Sequence, residues 1–411
     1  MMRNWVWKAL MAVVKDKTYS NLYLRNHLQE VDLKDRALAV NIFYGTLQNY
    51  ALCQSVWKRY LDPKAKVSLS TSVLLTMSVY QLLFLDKVPA YAVVNDAAKL
   101  AGPRARGIVN AILRKVTDNP KVTYPADPVQ ALALSTSLPE WLLRLWIAQY
   151  SPQQAFAFAK STIKPYPTVV RINPLRFSKE EADVHPRLEK VQGIWQDDPL
   201  YIYTGHDFAH EPLYLEGKIS AQDPGSYQIA KWANPKPGQH ILDLCAAPGT
   251  KTMAMAELAN NEAYFQAQDL HEHRTQLIEN DAKRLGLDHI QALAKDSTQV
   301  GNDQYDIVVC DVPCSGYGVL GRKPDMKLRL NPDDIDTLLP LQQALLEAGA
   351  AQTKAGGDLI YSTCTLNTKE NERQVKAFLE RHPEFTLDKE ETIQPSDVNG
   401  GFYLSRLLKA L

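Results

Sequence analysis

Ile241-Leu-Asp-Leu-Cys-Ala-Ala-Pro-Gly-Thr-Lys-Thr252 reads as a short apolar strand, a tight turn of small residues, and the start of a helix over Thr252–Ala259. The same alternation continues along the chain. Strands are expected at Ala263–Asp269, His289–Asp296, Tyr305–Val312, Gly357–Thr363 and near Gly401–Leu408. Helices are expected at Glu272–Leu285, Ile335–Thr353 and Asn367–Arg381. Strand and helix in alternation specify a doubly wound, mostly parallel α/β sheet, whose ligands sit at the carboxyl ends of the strands.

Upstream the pattern differs. Residues 1–120 carry apolar residues at helical spacing, as in Val31–Gly45, Thr71–Phe84 and Tyr91–Val116, which reads as an all-α bundle. The stretch 121–217 is punctuated by prolines. It offers one clear helix around Pro139–Tyr150 and short strand-like pieces such as Thr168–Ile172. It reads as a linker and a small α+β subdomain, leaving 218–411 as the catalytic domain. Overall the 411 residues balance 46 Lys+Arg against 46 Asp+Glu. Residues 1–125, however, hold 18 Lys/Arg and 8 Asp/Glu, a net of +10, so the remainder carries −10. A basic module joined to an acidic one suggests contact with a polyanion, although a merely solvated face is the plainer reading. There is no apolar run long enough for a membrane span and no signal peptide. Five cysteines, an odd number without an export signal, imply reduced thiols in the cytoplasm. Without a C-x-x-C or a nearby His cluster, no metal site is expected.

The turn 243–252 follows neither phosphate-binding pattern. A dinucleotide fingerprint needs more glycines than Gly249, and a P-loop needs Gly where Thr250 stands. The next two strands each end in an acid. Asp269 suits a ribose diol and Asp296 an adenine amino group, although either taken alone reads first as a helix N-cap or turn residue. Together they outline an adenosine site without phosphates, for which S-adenosylmethionine is the common ligand. Asp311-Val-Pro-Cys314-Ser-Gly316 and Ser362-Thr-Cys364-Thr365 end two further strands that neighbour each other in such a sheet. Cys53, Cys245 and Cys310 read as small buried hydrophobes, whereas the strand-end positions of Cys314 and Cys364 point to chemistry. Cytosine C5 is a poor nucleophile until a thiolate adds to C6. An acid near N3 favours that addition, and a base must later take the C5 proton.

These motifs, with Arg322-Lys-Pro-Asp325 and Glu370-Asn371, resemble the RsmB/Sun-type RNA cytosine-5 methyltransferases over about residues 219–411. Ala37–Leu61, Val93–Leu100 and Gly107–Arg114 resemble the NusB-like RNA-binding domain of that family. The resemblance implies a Rossmann-like class I methyltransferase domain behind a NusB-like bundle. It implies 5-methylcytosine formation in small-subunit (16S) ribosomal RNA with S-adenosylmethionine as cofactor. On this reading Cys245, Ala246, Ala247, Pro248, Gly249, Thr250 and Lys251 form the methionine-side loop. Asp269 takes the ribose, Asp296 the adenine side, and Asp311 lies beside the target base. Cys364 is the nucleophile and Cys314 assists release, with Asp311 and Lys251 completing the catalytic set. Arg171-Ile-Asn-Pro174 and Gln222-Asp223 are expected near RNA or the cleft. Thr250 replaces a usual Gly, and Gly400 stands where the family often has Asp.

Several alternatives stay open. The same chemistry could act on 23S RNA or tRNA. A non-catalytic RNA-binding or antitermination factor is the reading from a different class. DNA cytosine-5 methyltransferases share Pro313-Cys314 but leave Cys364 without a job, so no DNA partner is expected. No membrane and no obligate protein partner is expected either.

Overall fold

A computed structural model describes residues 2–164 and 166–411 and divides them into two compact units. The first comprises the chain up to Lys164 together with Leu320–Asn331; the second comprises the rest.

The first unit is helical. Its elements are α1 (Met2–Val14), α2 (Ser20–His27), α3 (Leu33–Gln48), α4 (Tyr50–Lys58), α5 (Leu69–Phe84), α6 (Ala90–Leu100), α7 (Gly102–Asp118), α8 (Pro128–Thr136), α9 (Glu140–Gln149) and α10 (Pro152–Ser161). α5 is apolar around most of its circumference and is accordingly the buried central helix. It begins where the Ser68 hydroxyl accepts from Thr71 N. α3 crosses it closely at Gly45, where a Cβ would lie 2.0 Å from the Tyr80 ring. The helical pattern over Tyr91–Val116 is broken at Gly102-Pro103, as those residues suggest: Gly102 takes φ +68° and separates α6 from α7. Around the one helix expected near Pro139–Tyr150 there are three. Pro128 and Pro152, which read as breakers, occupy first helical positions, where the missing N–H costs nothing. Segment 320–331 is anchored within this unit. Ser20 Oγ donates to Asp325 at 2.6 Å, and Lys327 Nζ donates to the carbonyls of Thr136 (2.9 Å) and Gln48 (3.3 Å).

The second unit contains two sheets. A four-stranded antiparallel sheet, in the order β2-β3-β1-β4, is built from β1 (Thr168–Ile172), β2 (Leu188–Lys190), β3 (Leu200–Tyr203) and β4 (Ile219–Ala221), with short helices α11 (Lys179–Asp183) and α12 (Pro212–Leu215). After α13 (Pro224–Ala233) the doubly wound sheet begins. Its elements are β5 (His240–Asp243), α14 (Thr250–Leu258), β6 (Tyr264–Asp269), α15 (Glu272–Leu285), β7 (Ile290–Ala294), β8 (Tyr305–Asp311), α16 (Ile335–Gln352), β9 (Thr353–Thr363), α17 (Glu372–Arg381), β10 (Phe385–Ile393) and β11 (Phe402–Lys409). The strand order is β10-β11-β9-β8-β5-β6-β7. β9, β8, β5, β6 and β7 run parallel, while β11 and β10 add antiparallel at one edge. From β5 the chain winds outward through β6 and β7, then returns to β8 on the other side. The order therefore reverses between β5 and β8, and a crevice opens at their carboxyl ends.

Arg171 fixes how β1 meets α14. Its side chain is fully buried, with Nε and Nη2 bonded to the two Glu257 carboxylate oxygens at 2.7 and 2.8 Å. A third donor, Nη1, reaches Gln222 Oε1 and the Thr250 carbonyl. Of the two expected placements, near RNA or near the cleft, this side chain takes the second: the buried guanidinium supports the cleft by holding the first turn of α14. Arg171→Met would leave Glu257 buried and uncompensated, which costs about 3–5 kcal/mol. Denaturant unfolding should show that loss, with much of it recovered in Arg171→Met/Glu257→Leu. A loss equally large in the double variant would contradict this account.

Candidate active site

β5 delivers Asp243 and then the hairpin Cys245–Gly249. Leu244 N donates to Val309 O (3.0 Å), Ala246 N to Gln268 O (2.8 Å) and Gly249 N to Ala246 O (2.7 Å), so the turn hangs from both neighbouring strands. Gly249 takes φ +102°, a conformation that L side chains rarely adopt. Thr250 follows as the first residue of α14, a position any residue can hold, so its substitution for Gly leaves the turn intact. Asp269, at the end of β6, is buried and paired with Arg274 Nη1 at 3.1 Å. Arg274 Nη2 also donates to Ala247 O at 2.8 Å and so ties Asp269 to the hairpin. Asp296 lies exposed two residues beyond β7, where its carboxylate accepts from Thr298 N (3.0 Å) and Thr298 Oγ1 (2.7 Å). Those bonds hold its pKa below the ordinary carboxylate value. The adjacent Ser297 hydroxyl reaches inward to Leu244 O (2.6 Å) and Gln268 Oε1 (3.0 Å).

Charge is concentrated beneath the hairpin. Lys251 Nζ lies 2.6 Å from Asp311 Oδ2, and Ser362 Oγ donates to Asp311 Oδ1 at 2.9 Å. Burial pushes the Lys251 ammonium down, but Asp311 and Asp243 outweigh it and hold its pKa above the ordinary value. Thr252 Oγ1 donates to Asp243 Oδ2 at 2.7 Å, while Asp243 Oδ1 is buried and takes no hydrogen bond. Burial raises the Asp243 pKa from 3.8 to about 6, against the opposing pull of Thr252 and Lys251. The sign of the consequence is definite. The folded state binds this proton more tightly than the unfolded chain does. The resulting stability is therefore complete below the ordinary value of 3.8 and is lost as pH rises through about 6. Asp243→Asn should flatten the stability profile across that window and raise the melting temperature at neutral pH. Melting curves that run parallel to wild type from pH ~4 to ~7 would contradict it.

The residues fit S-adenosylmethionine. Asp243, Asp269 and Asp311 all act on Cys245 electrostatically, and the crevice holds an orphaned carboxylate oxygen. With Lys251 and Arg274 balancing two of these carboxylates, the remaining Asp243 charge suits a cationic sulfonium better than a phosphate. Among the described residues no group of three or more His, Cys, Asp or Glu is arranged to hold a metal ion, and no helix is long and apolar enough to cross a membrane.

Beside this crevice the two cysteines converge. Cys314 Sγ and Cys364 Sγ are 3.4 Å apart, Cys314 following β8 and Cys364 following β9. Cys53 and Cys310 are buried, as their sequence context suggested, whereas Cys245 is half-buried in the hairpin. The supports of the pair come from residues to which the sequence assigned no role. Glu370, fully buried, accepts from Ser315 N (2.9 Å), Ser315 Oγ (2.5 Å), Gln342 Nε2 (2.9 Å) and Asn367 Nδ2 (3.0 Å). Gln342 also donates to Pro313 O at 2.9 Å, so Cys314 is held on both sides. Asn371 grips the other loop, accepting from Thr363 Oγ1 (2.6 Å) and donating to Thr365 O (3.0 Å). Gly318 N donates to Cys364 O at 3.1 Å, and a Cβ on Gly318 would lie 2.0 Å from Gly401 O. Glu370-Asn371 stood beside the cysteine motif in the sequence, but its hydrogen bonds required the fold. Where the family's Asp is missing, Gly400 N donates to Asp223 Oδ2 at 2.8 Å, which puts a carboxylate from α13's N-cap at that turn. The hydrogen bond between the cysteines, with burial and the Glu370 charge, raises the Cys314 thiol pKa well above its ordinary value.

Comparison with known proteins agrees with this arrangement. Residues 230–408 match the model described as 16S rRNA methyltransferase RsmB/F, and residues 1–118 match the NusB family. A chain from Bacillus subtilis (strain 168) is 35% identical over 396 residues, covering 93% of this chain and 88% of its own length. Ribosomal RNA small subunit methyltransferase B of Vibrio cholerae is 32% identical over 413 residues, covering 93% and 91%. The crystal structure of PH0851 superposes with a TM-score of 0.81 at 25% identity, covering 99% of each chain. From the alternating sheet, the acidic crevice and these matches together, the chain belongs to the RsmB/F family of 16S rRNA methyltransferases and is an S-adenosylmethionine-dependent RNA methyltransferase.

Proposed function

We propose that this enzyme forms 5-methylcytosine in 16S ribosomal RNA in the cytoplasm, through a covalent bond between Cys364 and C6 of the target cytosine. Within it, residues 218–411 carry the catalysis and residues 1–120 meet the RNA. The observation that carries this reading is the Cys314–Cys364 pair, 3.4 Å apart at adjacent strand ends, with Asp311 bound to Lys251 in the neighbouring turn. Relatives in this family are named for the small-subunit RNA they methylate, which supports that substrate.

Each residue has a task that follows from its surroundings. The Cys364 thiolate adds to C6, the new S–C6 bond forms, and the C5–C6 π pair becomes available at C5. The Cys314 thiol, which keeps its proton, steadies that thiolate beforehand through the shared hydrogen bond. Negative charge spreading to N3 and O2 of the ring is met by the Lys251 ammonium, which Asp311 holds in place. When bound, S-adenosylmethionine supplies an electrophilic methyl group. After C5 is methylated its proton must leave so that the S–C6 bond can break. Cys314 takes that proton. Once Cys364 is bonded to carbon, the hydrogen bond that raised the Cys314 pKa is gone; the thiol gives its own proton to solvent, and the thiolate accepts the C5 proton. Because C6 is attacked out of the base plane, the cytosine must be unstacked.

The test is incubation with labelled S-adenosylmethionine and ribosomal RNA from cells lacking the protein, followed by mapping of 5-methylcytosine. One labelled cytosine in 16S RNA is the expected result. Label confined to 23S RNA or tRNA would overturn the substrate, and label on another atom of the base would overturn the chemistry.

A further inference from the structure

The helical unit carries a compact basic surface. α4 ends in Lys58, followed by Arg59, and the loop to α5 presents Lys64 and Lys66; all four are exposed. The far end of α7 adds exposed Arg114 and Lys115, and Lys121 follows just beyond. These segments are physically joined. The Arg59 guanidinium donates to the carbonyls of Asn119 and Lys121, and Tyr60 OH donates to Asn119 O at 3.0 Å. Only Asp62 and Asp118 are acidic within 57–72 and 114–121, which leaves a net charge of +5 in these two segments. Asp62 is turned into its own loop, where its Oδ1 accepts from Lys64 N at 2.8 Å.

Beside the cations lies a hollow of about 630 Å³, with Trp57, Leu61, Val67 and Leu69 on its walls and Lys58 and Lys66 among its lining residues. An apolar hollow rimmed by exposed cations presents charge where a phosphate chain would run and an apolar surface where a ribose or an unstacked base would rest. We propose that the end of α4, the 59–68 loop and the end of α7 form a docking surface for the RNA strand outside the catalytic crevice. This rests on the RNA methyltransferase reading and adds the place where the helical unit engages its substrate.

The experiment measures affinity of the full chain for transcribed 16S RNA across a salt series, for wild type, Lys64→Ala/Lys66→Ala and Arg114→Ala/Lys115→Ala. Lys87→Ala/Lys99→Ala serves as the control: both lysines are exposed, and Lys99 lies beside the opposite end of α7. Each phosphate contact removed should lower the slope of log K against log salt by about 0.7–0.9. The patch variants should thus lose roughly 1.5 from the slope and bind about tenfold or more weakly at ~0.1 M salt, with the control unchanged. Unchanged slopes in both patch variants would overturn the proposal and leave an acidic protein as the partner for this face. An equal loss in the control would overturn it too, since the attraction would then be spread over the unit. S-adenosylmethionine binding by the same proteins separates the two readings: wild type that binds RNA but not cofactor sinks the methyltransferase reading alone.

Discussion

Cys364→Ala is expected to abolish methyl transfer, a loss on the order of 10⁴-fold or more, because it removes the sulfur that forms the bond to C6. Alanine removes only the sulfur. The half-buried position and the surrounding Asn371 and Gly318 hydrogen bonds to backbone remain, so the fold and the hairpin 245–249 should survive. S-adenosylmethionine binding should therefore be retained while label incorporation into 16S RNA disappears. Residual turnover at a tenth of the wild-type rate would remove Cys364 from the role of nucleophile.

Cys314→Ala should fail in the opposite place. Addition to C6 is still available to Cys364, but the group set 3.4 Å from it to accept the C5 proton is gone. The enzyme should then accumulate bound to its RNA through the S–C6 bond. On a denaturing gel this appears as a protein–RNA band that resists heating in detergent and disappears in Cys314→Ala/Cys364→Ala. Loss of that band in the double variant is the decisive control, since it shows which sulfur carries the RNA. If Cys314→Ala instead turns over freely, with no such band, the division of labour between the two cysteines is wrong. The supporting shell makes a graded counterpart. Glu370 holds Ser315 through two bonds, so its loss should slow the reaction without trapping the adduct.

Much of this site was legible in the one-dimensional pattern. A short apolar run ending in Asp243, a turn of small residues and a helix start are local features, and local sterics dictate them. Strand-end placement of Asp269, Asp311, Cys314 and Cys364 followed from counting strands, because every parallel strand of a doubly wound sheet ends on the same side. Where the reading fell short, the cause was non-local. β10 was missed because Phe385-Thr-Leu-Asp-Lys-Glu-Glu-Thr-Ile393 lacks apolar alternation; as the sheet's edge strand it leaves most of its side chains exposed. Prolines 128 and 152 looked like breaks because nothing local distinguishes a helix start from a loop. For Arg171 the choice between RNA and the cleft stayed open, since a lone arginine in a strand carries no sign of its partner and Glu257 lies 86 residues away.

By itself the sequence determined the order of strands and helices, the basic character of the first 125 residues and the residue types at the crevice. These depend on periodicity, turn chemistry and composition, all carried by neighbours along the chain. Only the tertiary structure decided that the two cysteines stand 3.4 Å apart, that Lys251 neutralises Asp311, that Glu370 grips the Cys314 loop, and that Arg59 bonds the Asn119 and Lys121 carbonyls beyond α7. These pairings join residues that the chain itself keeps some fifty or sixty positions apart. Their distances are set by side chains packing between strands and helices, a quantity no local pattern contains.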